Sequence, residues 1–203
     1  MLTRRKKETT NPSFSFHFSP KWVQKGESSD EEWLQKGVNW RNRMKEVTNL
    51  MIDDYGLKKL KMDMMGYSVV HKNDYSFHHL IVPKRDCRRE RIPSDGYVEW
   101  NGAILSYRTS HPYIHAIEQV ERRRFVSITK ELVEINKKGY VDRENLLKIY
   151  EMLEEFESKH SRDYTKSGKR LIKPEYKIRP DLYNGEVCER LEDVKKMVLT
   201  RRG

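Results

Sequence analysis

The fold of this chain is decided by two histidine-bearing stretches, Phe77-His78-His79-Leu80-Ile81-Val82-Pro83 and His111-Pro112-Tyr113-Ile114-His115. The first lies within Tyr75–Val82, where a period of two predicts a β-strand that is closed by the following proline. The second follows Thr109-Ser110, and these hydroxyls with a proline in the first turn predict the start of a helix. Asn101 lies in a predicted turn between the two stretches. The order of strand, loop, β-piece and helix start predicts an α+β core.

The segments near the first strand are also predicted to be extended. Tyr67–His71 is predicted to be a strand that joins the first one through the turn residues Lys72-Asn73-Asp74. A second short β-region, Tyr97–Trp100 with Ala103–Tyr107, is interrupted at Asn101-Gly102. We therefore expect these strands to build the sheet of the core.

Helical patterns dominate the rest of the chain. Apolar residues recur at spacings of three and four after Asp30, and this helix is predicted to end near Gly56. Asp142 is predicted to cap a later helix. A last amphipathic helix carries four apolar residues at heptad spacing, Val187, Leu191, Val194 and Val198. The predicted segments are a flexible basic arm (1–29), a helical segment (30–66), the α+β core (67–120), a second helical segment (121–164), and a loop with the last helix (165–203).

The charge composition favours a protein that binds nucleic acid. The 203 residues include 41 Lys and Arg against 31 Asp and Glu, which gives a formal net charge of +10. No stretch approaches the ~20 consecutive apolar residues of a membrane span, and no apolar run follows the basic N-terminus as in a secretory signal. Two cysteines cannot form a disulfide framework. We expect a cytoplasmic protein that binds nucleic acid and no membrane.

Four of the seven histidines lie between positions 78 and 115, and their spacing predicts a metal site. His111 and His115 are four residues apart at a helix start, so they lie on one face, where two imidazoles can reach one metal ion. A third nitrogen from His78 would complete a three-histidine site with open coordination positions. Such open positions distinguish a catalytic ion from a structural one.

The adjacent histidine His79 is predicted to have a different task. Neighbouring side chains on a strand point to opposite faces, so His78 and His79 are not expected to bind the same ion. A neutral imidazole near pH 7 can take a proton from water, which makes His79 the candidate general base. The side-chain amide of Asn101 is a candidate for holding that base, or its loop, in place.

Taken together, these residues resemble the HNH nucleases of the ββα-metal (His-Me finger) superfamily, and the histidine arrangement is closest to colicin-type DNases. The resemblance covers roughly residues 67–120 and implies a ββα-metal core wrapped by helices. It implies that His78, His111 and His115 bind one divalent ion, Zn²⁺, Ni²⁺ or Mg²⁺, and that His79 is the general base, positioned by Asn101. All-nitrogen ligation suits Zn²⁺ or Ni²⁺, whereas Mg²⁺ prefers oxygen.

The chain departs from that family in two respects. Many HNH proteins have Asp where His78 stands and carry flanking CxxC zinc pairs, and this sequence has neither. The extended pattern through Trp100-Asn101-Gly102-Ala103-Ile104-Leu105 is similar to small HNH proteins of phages and mobile elements.

A basic loop follows the candidate base. Its cations are candidates for contacts with a nucleic-acid backbone: Lys84, Arg85, Arg88, Arg89 and Arg91. The alternative is that this loop, like Arg122-Arg123-Arg124, is only a solvated surface. Cys87 in the same loop is a candidate for a thiol whose pKa is lowered by the neighbouring cations, although the favoured interpretation of a lone cysteine with no assigned role is that it is incidental.

Three functions remain open at this level. The first is a metal-dependent HNH endonuclease that hydrolyses phosphodiester bonds, with DNA favoured over RNA. The second is a nucleic-acid-binding module in which the histidines hold a structural zinc ion. The third is a phage packaging or defence adaptor that has co-opted the nuclease fold. The second has no need of His79 and would close the fourth coordination position with another residue.

Overall fold

The computed structural model describes residues 40–164, 167–177 and 185–202 of the chain. The predicted arm at residues 1–29 and the predicted helix start at Asp30 lie outside these ranges. Within them the chain forms seven α-helices and one two-stranded sheet, and we number the elements in chain order. They are α1 (Trp40–Asp54), α2 (Leu57–Leu60), β1 (Tyr75–His79), α3 (Lys84–Cys87), β2 (Gly102–Ser106), α4 (Ser110–Val120), α5 (Arg122–Lys138), α6 (Arg143–His160) and α7 (Gly185–Arg202).

The sheet is small and antiparallel, and helices cover it. β1 pairs with β2 in a register that places Tyr75 opposite Ser106 and His79 opposite Gly102. Every residue of β2 is buried, because α1, α4 and α5 pack against it. A Cβ atom at Gly102 would lie 2.3 Å from the Phe77 ring, so this position requires glycine. The architecture is α+β, mostly helical, as expected from the sequence.

The prediction of a strand at Tyr67–His71 is wrong. This segment makes one isolated bridge, between Ser68 and Met62. The N–H of Tyr67 donates to the Asp63 carboxylate at 3.0 Å, and its carbonyl oxygen accepts the N–H of Asp63 at 2.9 Å. The backbone groups that a strand partner would use are therefore occupied by a tight local turn.

The other β-segments are shorter than predicted. β1 ends at His79 and not at Val82, because the side-chain oxygen of Asn101 accepts the N–H groups of Ile81 and Val82 at 3.0 and 2.8 Å. Tyr97–Trp100 is not a strand, since it runs into the 3₁₀ turn Glu99–Asn101. The other part of this region is confirmed, since β2 at Gly102–Ser106 matches the predicted Ala103–Tyr107 to within one residue.

The helices follow their predicted ends closely. α1 stops two residues before Gly56, whose φ of 64° is left-handed. Asp142 caps α6 by accepting the N–H of Asn145 at 2.9 Å. α4 and α5 are separated by a break at Glu121. The four heptad residues of α7 are all buried, as predicted: Val187, Leu191, Val194 and Val198. None of the helices in the described ranges is long and apolar enough to cross a membrane.

Candidate metal centre

Three histidines meet where β1 faces α4, and we call His78, His111 and His115 the histidine triad. One potential ligand atom from each residue lies within 4.8 Å of the other two. The three ring centroids form a near-equilateral triangle with sides of 5.0 to 5.2 Å. His78 is buried, with 3% of its surface exposed, whereas the His115 side chain is 49% exposed. The triad is thus closed at His78, which forms its buried floor, and open to solvent at His115, which forms its rim.

Hydrogen bonds occupy Nδ1 in two members of the triad, and Nε2 of the third member has no partner. Nδ1 of His111 lies 2.7 Å from the Ser76 hydroxyl, and Nδ1 of His115 lies 3.4 Å from a Glu118 carboxylate oxygen. Nε2 of His78 is buried and has no hydrogen-bond partner among the described residues. A buried polar atom without a partner is costly, typically by about 1–3 kcal/mol. A cation that binds Nε2 would remove this cost, so the triad fits a divalent metal.

The pKa values of His78 and His111 favour metal binding as well. Burial, and next the neighbouring His111, hold the pKa of His78 well below its ordinary value. Burial, followed by His115, lowers the pKa of His111 to about 4. Both rings are therefore neutral at pH 7 and carry the lone pairs that a metal ion requires.

His79 lies beside the triad but makes different contacts. Its Nε2 is 3.2 Å from the Asp95 carbonyl oxygen, and its ring meets those of Phe77 and Tyr97 edge-on at 5.1 and 4.9 Å. A carbonyl oxygen only accepts, so Nε2 carries the proton and Nδ1 keeps a lone pair. Burial lowers the pKa of His79, so its ring is neutral at pH 7. When protonated, His79 would lower the pKa of His111, so the two rings lie within electrostatic range of each other.

Asn101 holds the loop that follows His79. Its carbonyl oxygen accepts the N–H groups of Ile81 and Val82, and its NH₂ group donates to the carbonyl oxygens of Val82 and Gly96 at 3.0 and 3.2 Å. The side chain is fully buried, and its amide is committed to backbone groups. Asn101 accordingly fixes the backbone of the loop that follows His79.

Gly96 is a site residue that the sequence analysis missed. Its φ is +82°, and a Cβ atom there would lie 2.3 Å from Sγ of Cys87 and 2.9 Å from Cδ2 of His79. Pro93-Ser94-Asp95-Gly96 has the composition of a turn, but nothing in this local pattern indicates that a distant histidine packs on it. The glycine lets the carbonyl of Asp95 approach the ring of His79.

Asp63 is the second residue that was missed. Its carboxylate is fully buried and accepts the N–H groups of Met65, Tyr67 and Ser106 at 2.7 to 3.0 Å, together with the hydroxyl of Ser110. Burial raises the pKa of Asp63 to about 6, against these hydrogen bonds, which lower it. An aspartate that bonds the N–H two residues on is a common turn signal. That signal does not reveal the contact with Ser110, the first residue of α4.

The predicted basic loop begins as a helix, because Lys84–Cys87 forms α3, and only its second half is a loop. Its cations lie on the surface, and some of the charge is neutralised locally. Arg88 is 3.2 Å from Asp95, and Arg89 is 3.0 Å from Glu90. The Nζ atom of Lys84 donates to the Tyr97 hydroxyl at 3.1 Å, next to the ring that packs on His79. The five predicted contact residues are all exposed: Lys84, Arg85, Arg88, Arg89 and Arg91.

Cys87, which lies among these cations, does not have the lowered pKa that the sequence suggested. Its thiol is buried and within 3.4 Å of the carbonyl oxygens of Val82 and Pro83. Burial, and next the carboxylate of Asp95, raises its pKa to about 11. The reactive-thiol expectation is therefore wrong, because the side chain faces the interior rather than the basic surface.

Comparisons with protein-family models, curated proteins and solved structures give no match to this chain.

Proposed function

We propose that this protein is a metal-dependent endonuclease of the HNH type that hydrolyses phosphodiester bonds, with DNA as its substrate. The observation that carries the proposal is the buried, unpartnered Nε2 of His78, which lies with His111 and His115 beside a neutral His79. The chain order β1, β2, α4 agrees with the ββα-metal core that the sequence resemblance implies.

The residues divide the reaction between them. Nδ1 of His79 takes a proton from the attacking water as its oxygen forms a bond to phosphorus. The bond from phosphorus to the 3′ oxygen breaks, and this leaving oxygen takes a proton from solvent. A divalent ion on the triad would supply Lewis-acid stabilisation of the phosphate charge and of the leaving oxygen. Asn101 keeps the loop after His79 in place throughout.

The basic loop follows His79 directly, which suits a substrate with a phosphate backbone. Of the residues Lys84–Arg91, five are cationic and two are acidic, so a net positive charge remains after local pairing. We propose that Arg88, Arg89 and Arg91 contact phosphates on either side of the cleaved bond, with Lys84 and Arg85 closer to His79. Such contacts position a nucleic acid without reading its sequence.

The test is a supercoiled-plasmid assay with metal-stripped protein, to which Mg²⁺, Mn²⁺, Ni²⁺ and Zn²⁺ are added back one at a time. Nicked or linear plasmid with at least one metal, and none with chelator, is the expected result. A protein that binds one zinc ion tightly and cuts neither DNA nor RNA would instead be a nucleic-acid-binding module or adaptor.

A further inference from the structure

We propose that Ser76 is a positioning residue, whose hydroxyl fixes the ring of His111 so that its Nε2 is available to a metal ion. This inference rests on the proposed metal-binding role of the triad and adds a residue outside it. Ser76 lies two residues before His78 on β1, so both side chains leave the same face of the strand. The His78 ring and the Ser76 hydroxyl thus approach α4 from the same face of β1.

The hydroxyl of Ser76 has one proton and two contacts. It donates to the Leu105 carbonyl oxygen at 3.0 Å, and its oxygen lies 2.7 Å from Nδ1 of His111. A carbonyl oxygen only accepts, so the serine proton is committed to Leu105 and the serine oxygen accepts the Nδ1–H of His111. A neutral imidazole has one ring proton. Nε2 of His111 therefore keeps its lone pair.

The carbonyl oxygen that accepts the Ser76 proton belongs to the neighbouring strand of the sheet, so the direction of this hydrogen bond is fixed. Ser76 faces Leu105 in the register of β1 and β2, and Leu105 is fully buried. Without the hydroxyl, the ring of His111 could carry its proton on Nε2. In that tautomer Nε2 has no lone pair for a metal ion. Hydrogen bonds to the second nitrogen of a ligating histidine commonly change metal affinity by about 10- to 100-fold.

The first measurement reads the tautomer directly, in the full chain without metal. Long-range ¹H–¹⁵N NMR spectra of the wild type above pH 7 are expected to show Nδ1–H at His111, and Nε2–H would overturn the proposal. Ser76→Ala is expected to move His111 toward the Nε2–H form, whereas Ser76→Thr keeps the hydroxyl and the wild-type tautomer. An alanine variant with an unchanged tautomer would also overturn it.

Zinc titration gives the second readout. Ser76→Ala is expected to weaken zinc binding by about 10- to 100-fold, and Ser76→Thr to restore most of it. The matched control is Ser127→Ala, because the Ser127 hydroxyl also bonds a backbone carbonyl, that of Arg123, but on an exposed face of α5. An equal loss of affinity in the Ser76 and Ser127 alanine variants would contradict a specific role for Ser76.

Failure of the proposed nuclease activity would look different. A wild type that binds zinc and shows the Nδ1–H tautomer, but cuts no nucleic acid, rejects the nuclease and leaves the role of Ser76 intact. A wild type that cuts DNA while Ser76→Ala keeps full zinc affinity rejects only the role of Ser76. A wild type that binds no divalent metal rejects both.

Discussion

The carboxylate of Asp63 accepts the hydroxyl hydrogen bond of Ser110 and so ties the loop before β1 to the first residue of α4. The same carboxylate oxygen accepts the N–H of Ser106, the last residue of β2, at 2.7 Å. One buried side chain thus fixes the joint between the sheet and the helix that carries His111 and His115. The geometry of the triad depends on a residue that binds no ligand itself.

We predict that Asp63 makes stability depend on pH in an unusual direction. Because burial raises its folded pKa to about 6 from the ordinary value of 3.8, its contribution is full below 3.8 and is lost as the pH rises through about 6. The free energy of unfolding of the wild type, relative to Asp63→Asn, should therefore fall between pH 4 and pH 7. The fall should be about 3 kcal/mol at most.

Urea unfolding of both proteins at several pH values measures this difference. The matched control is Asp53→Asn, which removes an exposed carboxylate that pairs with Lys58. Parallel curves for the wild type and Asp63→Asn would show that the Asp63 carboxyl titrates alike in the folded and unfolded chains.

We predict that Gly96→Ala displaces His79 and lowers cleavage at least tenfold, while zinc affinity stays within twofold of the wild type. The added Cβ would collide with Cys87 and His79, and the left-handed backbone adds a strain of about 1–2 kcal/mol. Gly168→Ala is the control, because it has φ +74° but no atom within 4 Å of the new Cβ. Equal losses of activity in both variants would mean that backbone strain, and not crowding of His79, is responsible.

We predict that His79→Ala lowers cleavage by about 10²- to 10⁴-fold, the usual contribution of a general base, without loss of metal binding. His115→Ala should lose both metal binding and cleavage. Isothermal titration with zinc, paired with the plasmid assay, separates the two outcomes. His71→Ala is the control, since this exposed histidine lies outside the cluster. A His79→Ala protein that cuts normally would rule out the proposed mechanism.

We predict that charge reversal to Glu at Arg88, Arg89 and Arg91 weakens DNA binding and flattens its salt dependence. Each phosphate contact that is lost should reduce the slope of log K against log salt by about 0.9. Affinity for a short duplex, measured from 50 to 200 mM salt, checks this, and zinc affinity should not change.

The control for this experiment reverses the charge of three exposed cations on helix α6: Arg143, Lys148 and Lys159. It alters the net charge equally. If both triple variants reduce the slope by the same amount, the basic loop contributes only to the overall charge of the protein.

The sequence correctly predicted features that depend on the pattern of neighbouring residues. His111 and His115 share a helix face because α4 begins at Ser110, as the hydroxyls and Pro112 indicated. His78 was named as the third candidate ligand, but its position beside them depends on how β1 packs against α4, which no local pattern encodes. The strand at Tyr67–His71 was predicted wrongly, because its residues favour extended backbone while the Asp63 carboxylate takes the N–H of Tyr67.

What could not be predicted depends on contacts between distant segments. The end of β1 is set by the side chain of Asn101, 22 positions after His79. Likewise, Ser76 reaches His111 only because the pairing of β1 with β2 and the packing of α4 bring them together. Patterns of propensity describe single elements and carry no information about such encounters.

The unequal exposure of the triad has a consequence for how an ion would exchange. His115 stands at the rim with about half of its side chain in solvent, whereas His78 is buried at the floor, with its ring centroid 6.4 Å from that of Phe125. An ion arriving from solvent would meet His115 first and His78 last. A chelator would approach from that same rim, so exchange of a bound ion would proceed through the His115 side of the site.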